Sequence, residues 1–371
     1  MKVMFLSFHG FHPHNGISKK KLAQIKGLRE CGNIVINCYY TVNPGNGDRY
    51  WMVDDSVLLN LGVGILAKFK KRINYKPIFN CIIEQQIELV YIRSEHNANP
   101  FLIHFVRVLK KAGVRIVMEI PTYPYDNEYT TLKGKFKLSI DRIFRKKLAQ
   151  ELNAIVTFSE ENEIFGQRTI RISNGIDFST IRMKRDSKKP GELHLIGVAE
   201  IHFWHGFDRL LTGLRDYYSR GHTSCNVFFH IVGEFTGDRE RGEILPLVGD
   251  AILCNYVTLH GSLYGADLDG LFDLADLGIG SLARHRSGIS AIKTLKNREY
   301  AARGIPFIYS ETDSDFDAMQ YVLKVPADES SIDINQLVGF LEQLRLSPVD
   351  IRQSVVHLSW KEQMNLVVHA L

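Results

Sequence analysis

The segment Ser281 to Pro306, SLARHRSGISAIKTLKNREYAARGIP, concentrates residues able to do chemistry. Arg284, His285 and Arg286 precede Gly288. Lys293, Lys296, Arg298, Glu299 and Arg303 then stud a stretch that stops at Gly304, two residues before Pro306. Lys296 and Glu299 are three apart and share a helix face. A carboxylate among that many cations is held ionised, which makes it a poor general base. It is suited to accepting hydrogen bonds from a vicinal diol such as a ribose. A surface Lys/Glu pair worth about 0.5 kcal/mol is the competing structural explanation.

Three further loops carry polar groups. In Ala199 to Arg209, AEIHFWHGFDR, the residues His202, Trp204, His205, Gly206 and Arg209 crowd a helix start, where amides and cations together favour an anion. In Ser7 to Lys19, SFHGFHPHNGISK, Gly10 and Gly16 permit close backbone approach and Ser18 is placed to cap a helix. His9, His12 and His14 lie in the same loop without a carboxylate, so they read as a polar lining and not as metal ligands. In Glu119 to Glu128, EIPTYPYDNE, two prolines stiffen a loop bearing Tyr123, Tyr125, Asp126 and Glu128, groups able to recognise hydroxyls.

These loops must be placed by strands and helices. Short β-branched or aromatic runs occur at Lys2–Phe8, Ile34–Tyr40, Leu89–Arg93, Arg115–Ile120, Ala154–Ser159 and Thr169–Ile172, separated by helix-length segments. One such segment, Ser18–Cys31, puts Leu22, Ile25 and Leu28 on one face and stops at Gly32. The alternation restarts after Lys184–Gly191, with runs at Leu193–Ala199, Cys225–Val232, Tyr256–His260, Leu277–Ser281 and Pro306–Tyr309. Strand and helix in alternation imply α/β architecture with parallel, doubly wound sheets. The chain has 371 residues, which argues for two domains. The expected division is 1–175, 176–352, and a C-terminal segment 353–371 whose amphipathic helix returns to the first domain and buries Trp360. Ligands of such sheets bind beyond the carboxyl ends of the strands, so two facing domains would hold them in a cleft between.

Charge divides with the domains. Up to Ile172 the chain holds 26 Lys and Arg against 15 Asp and Glu, a net of +11, and the remainder carries −6. Lys68–Lys76 holds five cations and no acid, and Lys133–Lys147 seven cations and Asp141 alone. Within the latter, Phe136, Ile140, Ile143, Phe144 and Leu148 recur near helical spacing, the pattern of a helix able to lie on anionic lipid. A solvated basic face with an ordinary buried stripe explains the same pattern. No nucleic-acid-binding motif is present. Val57–Ala67 is too short to span a bilayer, and the five scattered cysteines suit reduced thiols in a cytoplasmic protein.

Leu295–Pro306, LKNREYAARGIP, resembles the ribose-binding helix of GT-B glycosyltransferases, specifically the retaining nucleotide-sugar enzymes of glycosyltransferase family four. ISNGID at Ile172–Asp177 and GVAEIHFWHGFDRLL resemble that family's entry into its second domain and the first loop there. The resemblance implies two Rossmann-like domains facing across a cleft. It also implies sugar transfer from a UDP- or GDP-sugar to a saccharide or lipid-linked acceptor, with retention and without a required metal or other cofactor. Glu299 would hold the ribose and Gly16 would approach the donor phosphates. The sequence departs from the family where an Arg and a Lys-Gly usually meet the diphosphate: Glu200 and His205-Gly206 stand there. Ala291 occupies the place of a partner glutamate eight residues before Glu299. Phosphate neutralisation then falls to His205, Arg209, Arg284, Arg286 or Lys296. His12, Tyr123, Tyr125 and Asp126 are the acceptor-side candidates. A role in surface polysaccharide assembly, in the cytoplasm or peripheral on the inner membrane face, follows as an expectation. A non-catalytic sugar-nucleotide-binding scaffold and a GT-B epimerase are the alternatives.

Overall fold

The computed structural model describes residues 1–11, 16–126, 129, 131–185, 189–221 and 225–371. The chain divides into two compact units, Met1–Gly175 with Leu358–Leu371, and Ile176–His357.

In the first unit, β1 (Lys2–Ser7), β2 (Ile34–Val42), β3 (Arg49–Val53), β4 (Ser56–Gly62), β5 (Leu89–Arg93), β6 (Arg115–Ile120), β7 (Ala154–Thr157), β8 (Glu163–Ile164) and β9 (Gln167–Arg171) form a sheet ordered β4-β3-β2-β1-β5-β6-β7-β9-β8. Its centre is parallel, as the alternation requires. Both edges are antiparallel, which corrects the expectation of an all-parallel sheet. The cause is local: Asp54 adopts φ 48°, and Asp54-Asp55 closes a two-residue turn that folds β4 back on β3. The helices are α1 (Gly16–Glu30), α2 (Gly64–Ile73), α3 (Lys76–Glu84), α4 (Pro100–Lys111) and α5 (Leu132–Glu151). Met4, Leu6, Val90 and Ile92 pack beneath α2 to α5, while Val3, Phe5, Leu89 and Tyr91 pack on the opposite face. Both faces of the central strands are thus apolar, as a covered parallel sheet requires.

In the second unit, β10 (Glu192–Val198), β11 (Asn226–Val232), β12 (Val257–Leu259), β13 (Leu277–Ile279), β14 (Phe307–Tyr309) and β15 (Val322–Lys324) form a parallel sheet ordered β12-β11-β10-β13-β14-β15. Its helices are α6 (Phe207–Ser219), α7 (Asp238–Val248), α8 (Gly265–Leu274), α9 (Leu295–Arg303), α10 (Ile334–Gln343) and α11 (Pro348–Ser354). The order reverses between β10 and β13, the position beyond which open sheets of this class bind their ligands.

The last helix, α12 (Trp360–His369), packs on α1 in the first unit. A Cβ on Gly27 would stand 2.6 Å from the Trp360 carbonyl oxygen, and one on Gly175 would lie 2.3 Å from the Trp360 ring. The return begins at Leu358 and not at 353, because α11 packs on α9 of the second unit. The inner face of α1 also differs from expectation. Ile25 and Leu28 are buried, but Leu22 is exposed and Lys20, Lys21 and Gln24 are buried in its stead. Ser18 lies inside the first turn and not at the cap. No described helix is long and apolar enough to cross a membrane.

Candidate functional site

The loops beyond β10, β13 and β14 build one polar site within the second unit. After β10 the chain makes a single 3₁₀ turn, Phe203–His205, and enters α6 through Gly206. Gly206 has φ 63°, and a Cβ on it would stand 2.8 Å from the Ala283 Cβ, so both conformation and space demand glycine there. The Leu282 N–H donates to the His205 carbonyl (3.0 Å) and the Ala283 N–H to that of Trp204 (3.2 Å), which ties the loop after β13 to the loop after β10. The loop after β13 also pairs with the segment leaving β14, through Ser310 N–H to Ser281 O (2.9 Å), Thr312 N–H to Ser290 O (2.7 Å) and Ile292 N–H to Thr312 O (3.0 Å).

Of the five cationic candidates, these contacts leave two available to a ligand. Arg209 is buried and donates to the Leu282 and Ser330 carbonyls and to Asp328. Arg286 is held by Asp208 (2.8 and 2.9 Å) and by Glu329. Both are engaged by the protein itself. His205 is buried, and its Nδ1 accepts from the His202 N–H (2.9 Å). Burial and the charges of Lys296 and Arg284 push its pKa well below the usual value, so it offers a neutral Nε2–H and not a cation. Arg284 lies with its guanidinium 5.2 Å over the Trp204 ring, which itself stacks on His202 at 4.0 Å. Its Nε is buried without a partner among the described residues, and so is the Nζ of Lys296. Burial pulls the Lys296 ammonium down towards neutrality, opposed by Glu311 and assisted by Arg284.

Lys296 stands in the first turn of α9, whose Thr294 cap makes no side-chain cap bond and keeps a buried, unpartnered hydroxyl. The helix amides, Lys296 and Arg284 thus converge at the carboxyl end of β13. One turn on, Glu299 is partly exposed; its Oε1 accepts from Arg303 Nε (3.0 Å) and Nη2 (2.8 Å), and Arg303 is anchored by Asp269 at 2.7 Å. That anchoring leaves Oε2 of Glu299 without a partner among the described residues. Glu311, at the end of β14, is the residue sequence reasoning missed. The apolar run ending at Tyr309 marks a strand, and a charged residue just beyond a strand end was the available signal.

In the first unit, the acceptor-side candidates do not form an open group. Tyr125 is buried and donates to Asp141 at 2.6 Å. Asp126 is held by Arg142 (2.8 Å) and Arg145 (2.6 Å), and Tyr123 sets its ring edgewise on Phe165. Their polar or aromatic groups engage other residues of the same unit. His12, His14 and Glu128 lie outside the described residues, and Gly16 opens α1. Two polar networks take the place of the expected group. Glu119 is fully buried and accepts from Arg93, from Tyr91 (2.6 Å) and from Gln24 (2.6 Å). Glu95 pairs with Lys71 (3.0 Å) and His9 (3.1 Å), and Lys137 donates to its carbonyl (2.7 Å). Burial opposes the Glu95 charge, but His9, Lys71 and Lys137 hold its pKa at about 2.

No family model and no curated protein sequence matches the chain. Solved structures do. Alr3699/HepE of Anabaena, determined with UDP, is 13% identical and superimposes with a TM-score of 0.61, each chain covered in full. The catalytic domain of starch synthase IV from Arabidopsis thaliana, bound to ADP and acarbose, is 11% identical with a TM-score of 0.62, covering 99% of this chain and 98% of that one. Trehalose-6-phosphate synthase OtsA is 12% identical with a TM-score of 0.57 over 99% and 98%. The architecture is the GT-B fold.

Proposed function

We propose that the chain is a glycosyltransferase that binds a UDP- or GDP-sugar in its second unit and passes the sugar to a hydroxyl of a saccharide or lipid-linked acceptor. The observation that carries this reading is the pair of cations, Arg284 and Lys296, whose Nε and Nζ are buried without a hydrogen-bond partner among the described residues near the start of α9 at the sheet's reversal point. A departing nucleoside diphosphate needs its developing charge met by fixed donors, and two cations with helix amides supply them. Glu299, with one oxygen anchored and the other open, suits the two ribose hydroxyls. The likeness to structures solved with UDP, UDP-glucose and ADP supports a nucleotide donor. Retention of configuration and independence of metal belong to the proposal, as the family resemblance implies.

The acceptor side of the proposal includes a membrane. The outer faces of α2 and α5 expose Ile65, Leu66, Phe69, Leu132, Phe136 and Ile143, with Leu66 at 75% and Leu132 at 88%. Lys68, Lys70, Lys133 and Lys135 flank them. Apolar side chains turned outward among cations fit an anionic lipid surface and a lipid-linked acceptor.

Thermal stabilisation by UDP, GDP and their sugar conjugates tests the donor site. A ligand at 100 times its dissociation constant adds about 2.7 kcal/mol. One nucleotide should stabilise the wild type, and Glu299→Gln should lose most of that shift. No shift with any of them overturns the assignment.

A further inference from the structure

Five acidic residues are buried among those described: Glu119, Asp141, Glu240, Glu311 and Asp313. Four have donors. Glu119 and Asp141 are bonded as given above, Glu240 accepts from the Phe203 N–H (3.0 Å), and Asp313 accepts from Arg298 (2.5 and 3.0 Å). Glu311 is the exception: it is 2% exposed and lies in the field of Lys296 and Arg284, yet neither carboxylate oxygen is hydrogen-bonded by another described residue. On the loop after β13 and on α9, the Ser281 hydroxyl and both amide atoms of Asn297 are also buried without a hydrogen-bond partner among the described residues. A folded chain does not desolvate that many polar atoms without return, so the group is built for a ligand bearing hydrogen-bond donors and acceptors.

The sign of the charge decides which part of the ligand Glu311 meets. A phosphate placed against a carboxylate is repelled, so the diphosphate belongs to Arg284 and Lys296 and Glu311 must face something neutral and rich in O–H donors. Its position is fixed from both sides by the Ser310 and Thr312 backbone bonds to the loop after β13. Ala291, eight residues before Glu299, is bridged to Thr312, so Glu311 adjoins the strand pairing at which that loop carries only a methyl group.

We propose that Glu311 is the donor-sugar reader of this chain: its carboxylate accepts hydrogen bonds from two hydroxyls of the glycosyl group, with the Asn297 amide beside it. This rests on the nucleotide-sugar reading above and adds the residue that tells a sugar nucleotide from the bare nucleotide. The rule is one of difference. Glu311 contributes to UDP-glucose or GDP-mannose and contributes nothing, or repulsion, to UDP or GDP.

Calorimetric titration of the full chain at pH 8 tests it, with UDP, UDP-glucose, GDP and GDP-mannose on wild type and Glu311→Gln. The expected result is a loss of tenfold or more for the sugar nucleotide in the variant, with the bare nucleotide unchanged or tighter. On the wild type, monodeoxy analogues of the bound sugar nucleotide should lose affinity at two hydroxyl positions, a readout that does not depend on the variant folding. Equal change for nucleotide and sugar nucleotide, or no change for either, overturns the role of Glu311 and leaves the donor site standing. A wild type that binds none of the four overturns the donor reading and this inference with it.

Discussion

Lys296 shows how function and stability pull against each other at a single residue. The Lys296 Nζ, buried without a hydrogen-bond partner among the described residues, costs the folded state free energy that a bound anion would offset. Lys296→Met keeps the stem's volume and removes the charge. The apo protein should melt at the wild-type temperature or above it, while stabilisation by the nucleotide falls by about 1.5 to 3 kcal/mol, the worth of one charged hydrogen bond. Differential scanning fluorimetry with and without UDP and GDP reads both, and a lower apo melting temperature would assign Lys296 a structural role. Arg209 and Arg286 had the same credentials in the sequence as Lys296 and Arg284. What separates them is the presence of Asp208, Asp328, Glu329 and three backbone carbonyls within hydrogen-bonding reach, and such partners come from distant parts of the chain.

At the scale of elements, α9 is held by an ion cluster that is structural. Arg298 is 1% exposed and pairs with Asp313 and Asp315, which pins the segment leaving β14 to the helix bearing Lys296 and Glu299. Arg298→Ala would leave Asp313 buried and unpaired and should cost about 3 to 5 kcal/mol. A urea titration following tryptophan fluorescence measures it, and a wild-type midpoint would show that the cluster does not hold the helix. The helix itself was legible, since Gly304 and Pro306 mark its end and the Lys296/Glu299 spacing marks a face. The hairpin β3–β4 was not. Its strands are short, partly exposed edge strands, and the two-residue turn between them is Asp54-Asp55, without the glycine that usually announces such a turn. The inner face of α1 was misread for a related reason. Periodicity follows apolar residues, while Lys21 and Gln24 are drawn inward by the His9 and Gly10 carbonyls and by Glu119.

For the whole molecule, buried or half-buried histidines in both units set an acid limit. Burial holds His96 and His230 at about 4, and His205 well below its ordinary value. Each stays neutral when folded but takes a proton near pH 6.5 when unfolded. Their contribution to stability is therefore complete above about pH 6.5 and is lost as the pH falls towards about 4. The urea midpoint should drop between pH 7.5 and pH 5, and His230→Gln should flatten that slope; a midpoint independent of pH would contradict this reading. The outer faces of α2 and α5 carry a second prediction. The chain should sediment with vesicles containing anionic lipid and not with neutral ones, in a salt-sensitive manner, and Leu66→Asp with Phe69→Asp should abolish it. Sedimentation with neither vesicle type would refute the membrane role. The sequence by itself determined the alternation of strand and helix and the central parallel strands of both sheets, because strand and helix periodicity and glycine or proline punctuation act over a few residues. Only the tertiary structure decided which charged groups are spent and which are open. That depends on partners such as Glu329 for Arg286 and Asp141 for Tyr125, and on the lack of a hydrogen-bond donor to Glu311 among the described residues, and a buried charge is settled by what lies beside it in space.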